Sequence, residues 1–456
     1  MKDLTCFKAY DIRGKVPEEV NEELAYQIGH AFSYIIKPGT VIVGYDVRLE
    51  SIALVKALIK GLTDSGSNVI NIGLCGTEEV YFHTFNNEKR GIGGGIMVTA
   101  SHNPKGYNGM KMVGQGARPI SLTDDLKKIK DFVLKADNIK ISKDVGVEVQ
   151  REDKSAYVAH LLEYVDNTKL KPLKILVNPG NGPAGSIVKL LEKSLPFEFV
   201  YIQEEPDGNF PNGVPNPMII ENRKVTSEAV LKHNADFGVA WDGDFDRCFL
   251  FDEKGNFIEG YYIVGLLAES FLKKYPDQKI IHDPRLIWNT IDIVKNAGGI
   301  PVQSKSGHSF IKEKMRQEEA IYGGEMSAHH YFKSFSYCDS GMLPWLLISE
   351  LISDCGQSLS DMVGARISKF PCSGEINYKV ANTSKTINLV TKHFVNQNPV
   401  VDNTDGISLE FPYWRLNLRE SNTEPLLRLN IEVNGQKESL KNRIAEVEAV
   451  INSNKQ

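Results

Sequence analysis

The feature that most narrows the fold of this chain is one plan written three times in succession: apolar strand, amphipathic helix, strand, helix, apolar strand. The first copy has strands at 40–48, 68–72 and 94–98. Its helices run along the Leu54, Leu58, Leu62 stripe and over 78–85. The second copy has strands at 173–182, 197–202 and 236–241, with helices at 186–194 and 227–233. The third has strands at 279–286, 299–304 and 320–325, with helices at 289–296 and 309–317. Short apolar strands alternating with helices predict parallel or mixed sheets covered on both faces. In such sheets ligands sit beyond the carboxyl ends of the strands. The loops after the three last strands therefore become the candidate chemistry. From about residue 370 the plan changes. Strands at 408–411, 414–418 and 426–432, broken by a polar loop at 419–425, lead to a helix ending near 452. The expected fold is α/β, with three similar mixed-sheet α/β domains and a smaller C-terminal α+β domain. The divisions fall at 1–150, 151–253, 254–368 and 369–456, and domains of roughly 100–200 residues accommodate them.

Composition narrows the function. Apolar residues make up 41% and charged residues 24%, enough for several cores, and the net charge is −5. A nucleic-acid or anionic-membrane partner needs a basic face, and no long basic run occurs, so neither partner is expected. The cysteines Cys6, Cys75, Cys248, Cys338, Cys355 and Cys372 form no C-x-x-C pair. They read as reduced thiols, without a zinc or redox motif. No apolar leader or membrane-length run is seen, so a soluble, cytoplasmic protein is expected, a monomer or weak homo-oligomer.

Four loops carry the chemistry. In TASHNP (99–104) a hydroxyl, Ser101, sits between a strand and a turn, with His102 and Lys111 as candidates to handle its proton. A serine merely bonded within a turn is the plainer reading of that loop alone. In DGDFDR (242–247), Asp242, Asp244 and Asp246 would repel one another unless a cation joined them, and all-oxygen ligands suit Mg²⁺. An EF-hand is disfavoured because Arg247 stands where that loop needs glycine, and an apolar strand follows. In GEMSAHH (324–330), Glu325 and Ser327 can grip vicinal sugar hydroxyls; His330 is expected to pack, and His329 is open to either role. In RESNTEP (419–425), Arg419, Ser421, Asn422 and Thr423 combine a guanidinium with hydroxyls and an amide, a phosphate cradle.

Together, in this order, and with KAYDIRG at 8–14, these loops resemble the α-D-phosphohexomutase family from the N-terminus to the last domain. The resemblance implies four domains around a central cleft. Ser101 is then the phosphorylated serine and a metal ligand beside Asp242, Asp244 and Asp246, which hold Mg²⁺. Glu325 and Ser327 bind sugar hydroxyls, and the Arg419 loop binds the distal phosphate. Tyr10, Arg13, Lys111, Arg247, Arg285, His308 and His329 match cleft-lining positions, Arg285 standing where relatives often carry lysine. Met326 in G-E-M-S points to mannose or glucose phosphates rather than glucosamine phosphates. The sequence looks most like bacterial members that feed GDP-mannose synthesis for surface polysaccharide. The expected reaction interconverts mannose 6-phosphate and mannose 1-phosphate, with a hexose 1,6-bisphosphate as intermediate and activator. A glucose-specific or dual-specificity enzyme is the near alternative. A Mg²⁺-dependent sugar phosphatase and a non-catalytic sugar-phosphate binding protein are the distant ones.

Overall fold

The computed structural model of the protein describes residues 4–121, 125–135, 140–420 and 426–453. Two compact units result, one formed by Met1–Phe257 with Phe332–Gly356, the other by Ile258–Tyr331 with Gln357–Gln456.

The first unit holds two sheets. One has the strand order Ile12–Lys15, Tyr107–Gly114, Ile92–Val98, Thr40–Tyr45, Asn68–Leu74, Glu148–Gln150. Its centre is parallel, and Tyr107–Gly114 runs antiparallel to both neighbours. Leu54, Leu58 and Leu62, the stripe of helix Ser51–Asp64, are buried in its core beside Val41, Val43, Ile96 and Val98. The second sheet has the order Phe257–Ile258, Cys248–Asp252, Phe237–Trp241, Lys174–Asn178, Glu198–Tyr201; Cys248–Asp252 pairs antiparallel with Phe237–Trp241, and the last three strands are parallel. The whole run from Phe237 to Asp252 is buried, as expected of strands covered on both faces.

In the second unit, Lys279–His282 lies between parallel strands Ile300–Gln303 and Tyr322–Gly324. The last sheet is antiparallel throughout, in the order Ile376–Tyr378, Leu427–Val433, Trp414–Glu420, Ile407–Glu410, Val400–Asp402. Helix Leu440–Asn452 closes its core through Val447, Val450 and Ile451. The α/β class with a distinct C-terminal antiparallel sheet thus follows the repeat read in the sequence. The outer strands Ile376–Tyr378 and Val400–Asp402 add to the three expected there. In each parallel sheet the last strand of the repeat ends at a polar loop, and all three loops leave from carboxyl ends.

Candidate active site

Strand Ile92–Val98 delivers Ser101 through a turn in which Ser101 has φ +50°, a left-handed conformation that a non-glycine residue keeps only when its surroundings fix it. Those surroundings are explicit. Asp46, just past strand Thr40–Tyr45, accepts the Thr99 hydroxyl at 2.7 Å, and Thr99 Oγ1 accepts the Ser101 amide at 2.8 Å. Arg48 is buried under the turn. Its guanidinium donates to four carbonyl oxygens, those of Ser101 (2.8 Å), Asn103 (2.6 Å), Pro104 (3.0 Å) and Tyr107 (3.0 Å). Asp46 neutralises it at 3.3 Å, and Phe210 lies 5.4 Å from its carbon. Arg13 steadies the far side of the turn, donating to Asn103 Oδ1 at 2.8 Å while paired with Asp11 at 2.7 Å. Tyr10 precedes that strand and is half-buried.

Against this turn the second sheet brings the loop between Phe237–Trp241 and Cys248–Asp252. A side chain at Gly243 would place its Cβ 2.5 Å from the Ser101 carbonyl oxygen, so the two loops touch backbone to backbone and only glycine fits. Ser101 Oγ donates to Asp242 Oδ2 at 2.6 Å and lies 3.0 Å from His102 Nδ1. Arg247 donates to the same Asp242 oxygen through Nε (3.0 Å) and Nη2 (2.8 Å), and its Nη2 also meets His102 Nδ1. From the first sheet, Lys111 donates to Asp244 Oδ2 at 2.7 Å and to Asp246 Oδ2.

Electrostatics sharpen the picture. Burial raises the Asp242 carboxyl; Arg247 pulls it down, while Asp246 and Asp244 push it up again. Burial also opposes the Lys111 charge, but the carboxylates of Asp244, Asp246 and Asp242 outweigh it and hold the ammonium charged. Burial, together with Arg247, Arg13 and Lys111, drives His102 well below its ordinary value, so its imidazole stays neutral. Oxygen atoms of Asp242, Asp244 and Asp246 lie within 4.8 Å of one another. Asp244 Oδ1 is buried and has no hydrogen-bond donor. An orphaned carboxylate oxygen in an all-oxygen cluster is the donor set of a hard divalent cation, so these residues fit Mg²⁺.

The second unit carries the other predicted residues. Arg285 follows strand Lys279–His282 and donates to Asp283 Oδ2 (2.7 Å), Glu325 Oε1 (3.1 Å) and Ser327 Oγ (3.1 Å). Glu325 also accepts from Gly307 N (2.9 Å) and from Tyr331 OH (2.5 Å). His329 Nδ1 lies 3.3 Å from Ser327 Oγ and 3.5 Å from Glu325 Oε2, and His308 opens helix His308–Glu318. His330 packs on Tyr322, whose hydroxyl meets its Nδ1 at 2.6 Å, and burial lowers it to about 3. Arg419, near the end of strand Trp414–Glu420, donates to Glu375 at 3.1 Å; Arg428 lies 3.4 Å and Arg285 3.8 Å from the same carboxylate. Three guanidiniums thus converge on Glu375, and Arg285 among them is shared with Asp283 and Glu325. Ser421, Asn422 and Thr423 lie outside the described residues.

Four matches tile the chain. The descriptions "Phosphoglucomutase/phosphomannomutase, alpha/beta/alpha" domain I, II and III match residues 5–140, 155–255 and 259–370, and the C-terminal domain matches 375–450. The chain is 59% identical to "Phosphohexose mutases" of Xanthomonas campestris pv. campestris, over 97% of this chain and 98% of that one. The chain belongs to the phosphoglucomutase/phosphomannomutase family. It is also 56% identical to a phosphomannomutase of Escherichia coli K12, over 95% of this chain and 96% of the relative. A solved structure of a phosphoglucomutase/phosphomannomutase family protein from Burkholderia thailandensis superposes with a TM-score of 0.87. Its identity is 30%, and 99% of this chain and 97% of that one are covered.

Several residues of this family member escaped the sequence reading. Asp46 and Arg48 read there as the polar end of a strand; a buried-looking Asp-x-Arg straight after an apolar run was the available signal. Glu78 was read only as helix. It is buried, and it accepts from Tyr157 OH, from Ser340 Oγ at 2.8 Å, and from the amides of Gly341 and Met342. Burial pushes it up to about 8 from an ordinary 4.5, although those four donors pull it down. The folded state therefore keeps a proton on Glu78 that the unfolded chain loses, and stability should fall as pH rises from about 4.5 towards about 8. Glu78→Gln should flatten that loss, at most about 5 kcal/mol at 1.36 kcal/mol per unit. The Tyr157 and Ser340 hydroxyls can turn to accept from the amide. Urea midpoints of both proteins at pH 5 and pH 8.5 check this; parallel pH profiles would contradict it.

Proposed function

We propose that the chain is a phosphomannomutase, interconverting mannose 6-phosphate and mannose 1-phosphate through a phosphoserine at Ser101. The observation that carries this reading is the single constellation of Ser101, Asp242, Arg247, Lys111 and the orphaned Asp244 oxygen, built by two sheets around one hydroxyl. The curated relatives named above support the choice of reaction. In the forward direction the sugar 1-hydroxyl attacks the phosphorus carried on Ser101. The P–Oγ bond breaks, mannose 1,6-bisphosphate forms, and the hydroxyl proton is passed on so that Ser101 Oγ ends protonated. The bisphosphate turns over, Ser101 Oγ attacks the 6-phosphorus, the P–O6 bond breaks, the serine proton passes to the sugar 6-oxygen, and mannose 1-phosphate leaves with the phosphoserine restored.

Such transfer needs positioning and charge neutralisation more than covalent chemistry. Arg247 and Lys111 supply fixed positive charge beside the reacting oxygens. His102, kept neutral by burial and its cationic neighbours, lies 3.0 Å from Ser101 Oγ and serves that oxygen as a hydrogen-bonding neighbour rather than as a base. Ser101, Asp242, Asp244 and Asp246 would hold Mg²⁺, which when bound polarises the phosphoryl oxygens. Glu325 and Ser327 are assigned to the sugar hydroxyls, with Arg285, His308 and His329 beside them. Tyr10 and Arg13 are assigned to the substrate as well. Arg419 with Ser421, Asn422 and Thr423 holds the phosphate that is not reacting. We assign these roles to four domains divided at 1–150, 151–253, 254–368 and 369–456. The product suits GDP-mannose synthesis for surface polysaccharide.

A nucleophilic serine set in a strained turn has no use in a binding protein or an aspartate-nucleophile phosphatase. The test is a side-by-side rate measurement on mannose 1-phosphate and glucose 1-phosphate, each with its 1,6-bisphosphate. A higher kcat/KM for the mannose substrate is expected. A clear preference for glucose would reassign the enzyme as a phosphoglucomutase, and phosphate release without interconversion would make it a phosphatase.

A further inference from the structure

We infer that Thr77 is the positioning residue that sets the Asp244 carboxylate for metal binding, an inference that rests on the metal reading above. Thr77 is the first residue of helix Thr77–Asn86, which connects strands Asn68–Leu74 and Ile92–Val98 of the first sheet. It holds Asp244 at two points: its amide donates to the Asp244 carbonyl at 3.0 Å, and its hydroxyl donates to Asp244 Oδ2 at 2.6 Å. Both residues are buried, at 1% exposure or less.

The consequence lies in how the carboxylate is divided. Oδ2 receives two donors, the Thr77 hydroxyl and the Lys111 ammonium at 2.7 Å. Oδ1 receives none. One oxygen is therefore committed to the protein, and the other keeps its lone pairs for a cation. Lys111 alone cannot fix this arrangement. Its flexible ammonium is shared with Asp246, and a carboxylate held by one such donor can rotate about its Cβ–Cγ bond. The short, β-branched threonine, fixed at a helix start, supplies the second anchor that stops the rotation.

Local packing enforces the contact. The residue before Thr77 is Gly76, where a Cβ would lie 2.2 Å from the Phe245 ring. The helix start thus meets the metal loop as closely as a glycine permits. Phe245, buried between Asp244 and Asp246, holds a left-handed φ of +44° that points the two carboxylates to their partners. The helix runs on through Glu88–Arg90 into strand Ile92–Val98, and the turn after that strand carries Ser101. Thr77 therefore ties the cation's ligand to the element that carries the nucleophile, and partners of this kind typically change metal affinity 10–100-fold when removed.

The experiment titrates Mn²⁺, followed by its EPR signal, into the full-length, dephosphorylated protein as wild type, Thr77→Val and Thr77→Ser. Thr77→Val keeps the shape and removes the hydroxyl; Thr77→Ser restores it. Mn²⁺ should bind Thr77→Val about 10–100-fold more weakly than wild type and bind Thr77→Ser within about threefold of wild type. Thermal unfolding in EDTA is recorded for each, because a residue that only stabilised the fold would lower Tm and leave the affinity unchanged. Equal affinity in Thr77→Val and wild type, or equal weakening in Thr77→Ser and Thr77→Val, would overturn the inference. Absence of Mn²⁺ binding to wild type would instead remove the metal reading on which it rests.

Discussion

Ser101→Ala should abolish interconversion, with kcat falling on the order of 10⁴–10⁶-fold, as loss of a covalent nucleophile does. Wild type purified without dephosphorylation should carry one phosphate group by intact mass, and the variant none. The protein should remain folded. Alanine removes one hydrogen bond to Asp242, but Arg247 still supplies that carboxylate with two donors. The loss should be about 1.5–3 kcal/mol, the range for a bond to a charged group. The turn itself survives, because Arg48 and Thr99 hold it through backbone atoms that alanine retains. A folded Ser101→Ala protein that turns over at the wild-type rate would place the phosphoryl carrier elsewhere.

Chelation should have the next largest effect. EDTA-treated protein should lose about 100-fold or more in rate, the scale of several kcal/mol of charge stabilisation, and added Mg²⁺ should restore it. The charge count gives the reason. Asp244 and Asp246 pair with Lys111, and Asp242 pairs with Arg247. A phosphate on Ser101 would add roughly −1.5 to −2 charges beside that cluster. Asp244→Asn should lower the negative charge and so bring cation-free protein and metal-loaded protein closer in rate. An enzyme indifferent to EDTA would show that the carboxylates only position Lys111 and Arg247.

The sequence announced the catalytic loops because each sits straight after a buried strand, where an apolar run stops and a polar run starts. TASHNP, DGDFDR and GEMSAHH are all of this kind. The positioning groups were hidden for the opposite reason. Thr77 and Glu78 open an ordinary helix, Arg48 lies just past an ordinary strand, and their partners are far away in the chain. Arg48 meets carbonyl groups, which leave no trace in residue identity. Strand Tyr107–Gly114 stands outside the strand-and-helix repeat, yet it carries Lys111 into the cluster. Glu375 and Arg428 are lone charges on or beside short strands, and only the pairing of Ile376–Tyr378 with Leu427–Val433 brings them together.

The contact of Gly243 with the Ser101 carbonyl has a bearing on how the chain is made. Ser101 is separated from Asp242 by 141 residues, Lys111 from Asp244 by 133, and Thr77 from Asp244 by 167. During synthesis at about 5–20 residues per second, Ser101 is made about 7–28 seconds before the Asp242 carboxylate it needs. In that interval the serine is presented without its acceptor, its cation or its guanidinium. The nascent chain therefore holds a hydroxyl with no means of accepting or donating phosphate, and reactivity arrives in one step, when the second sheet docks.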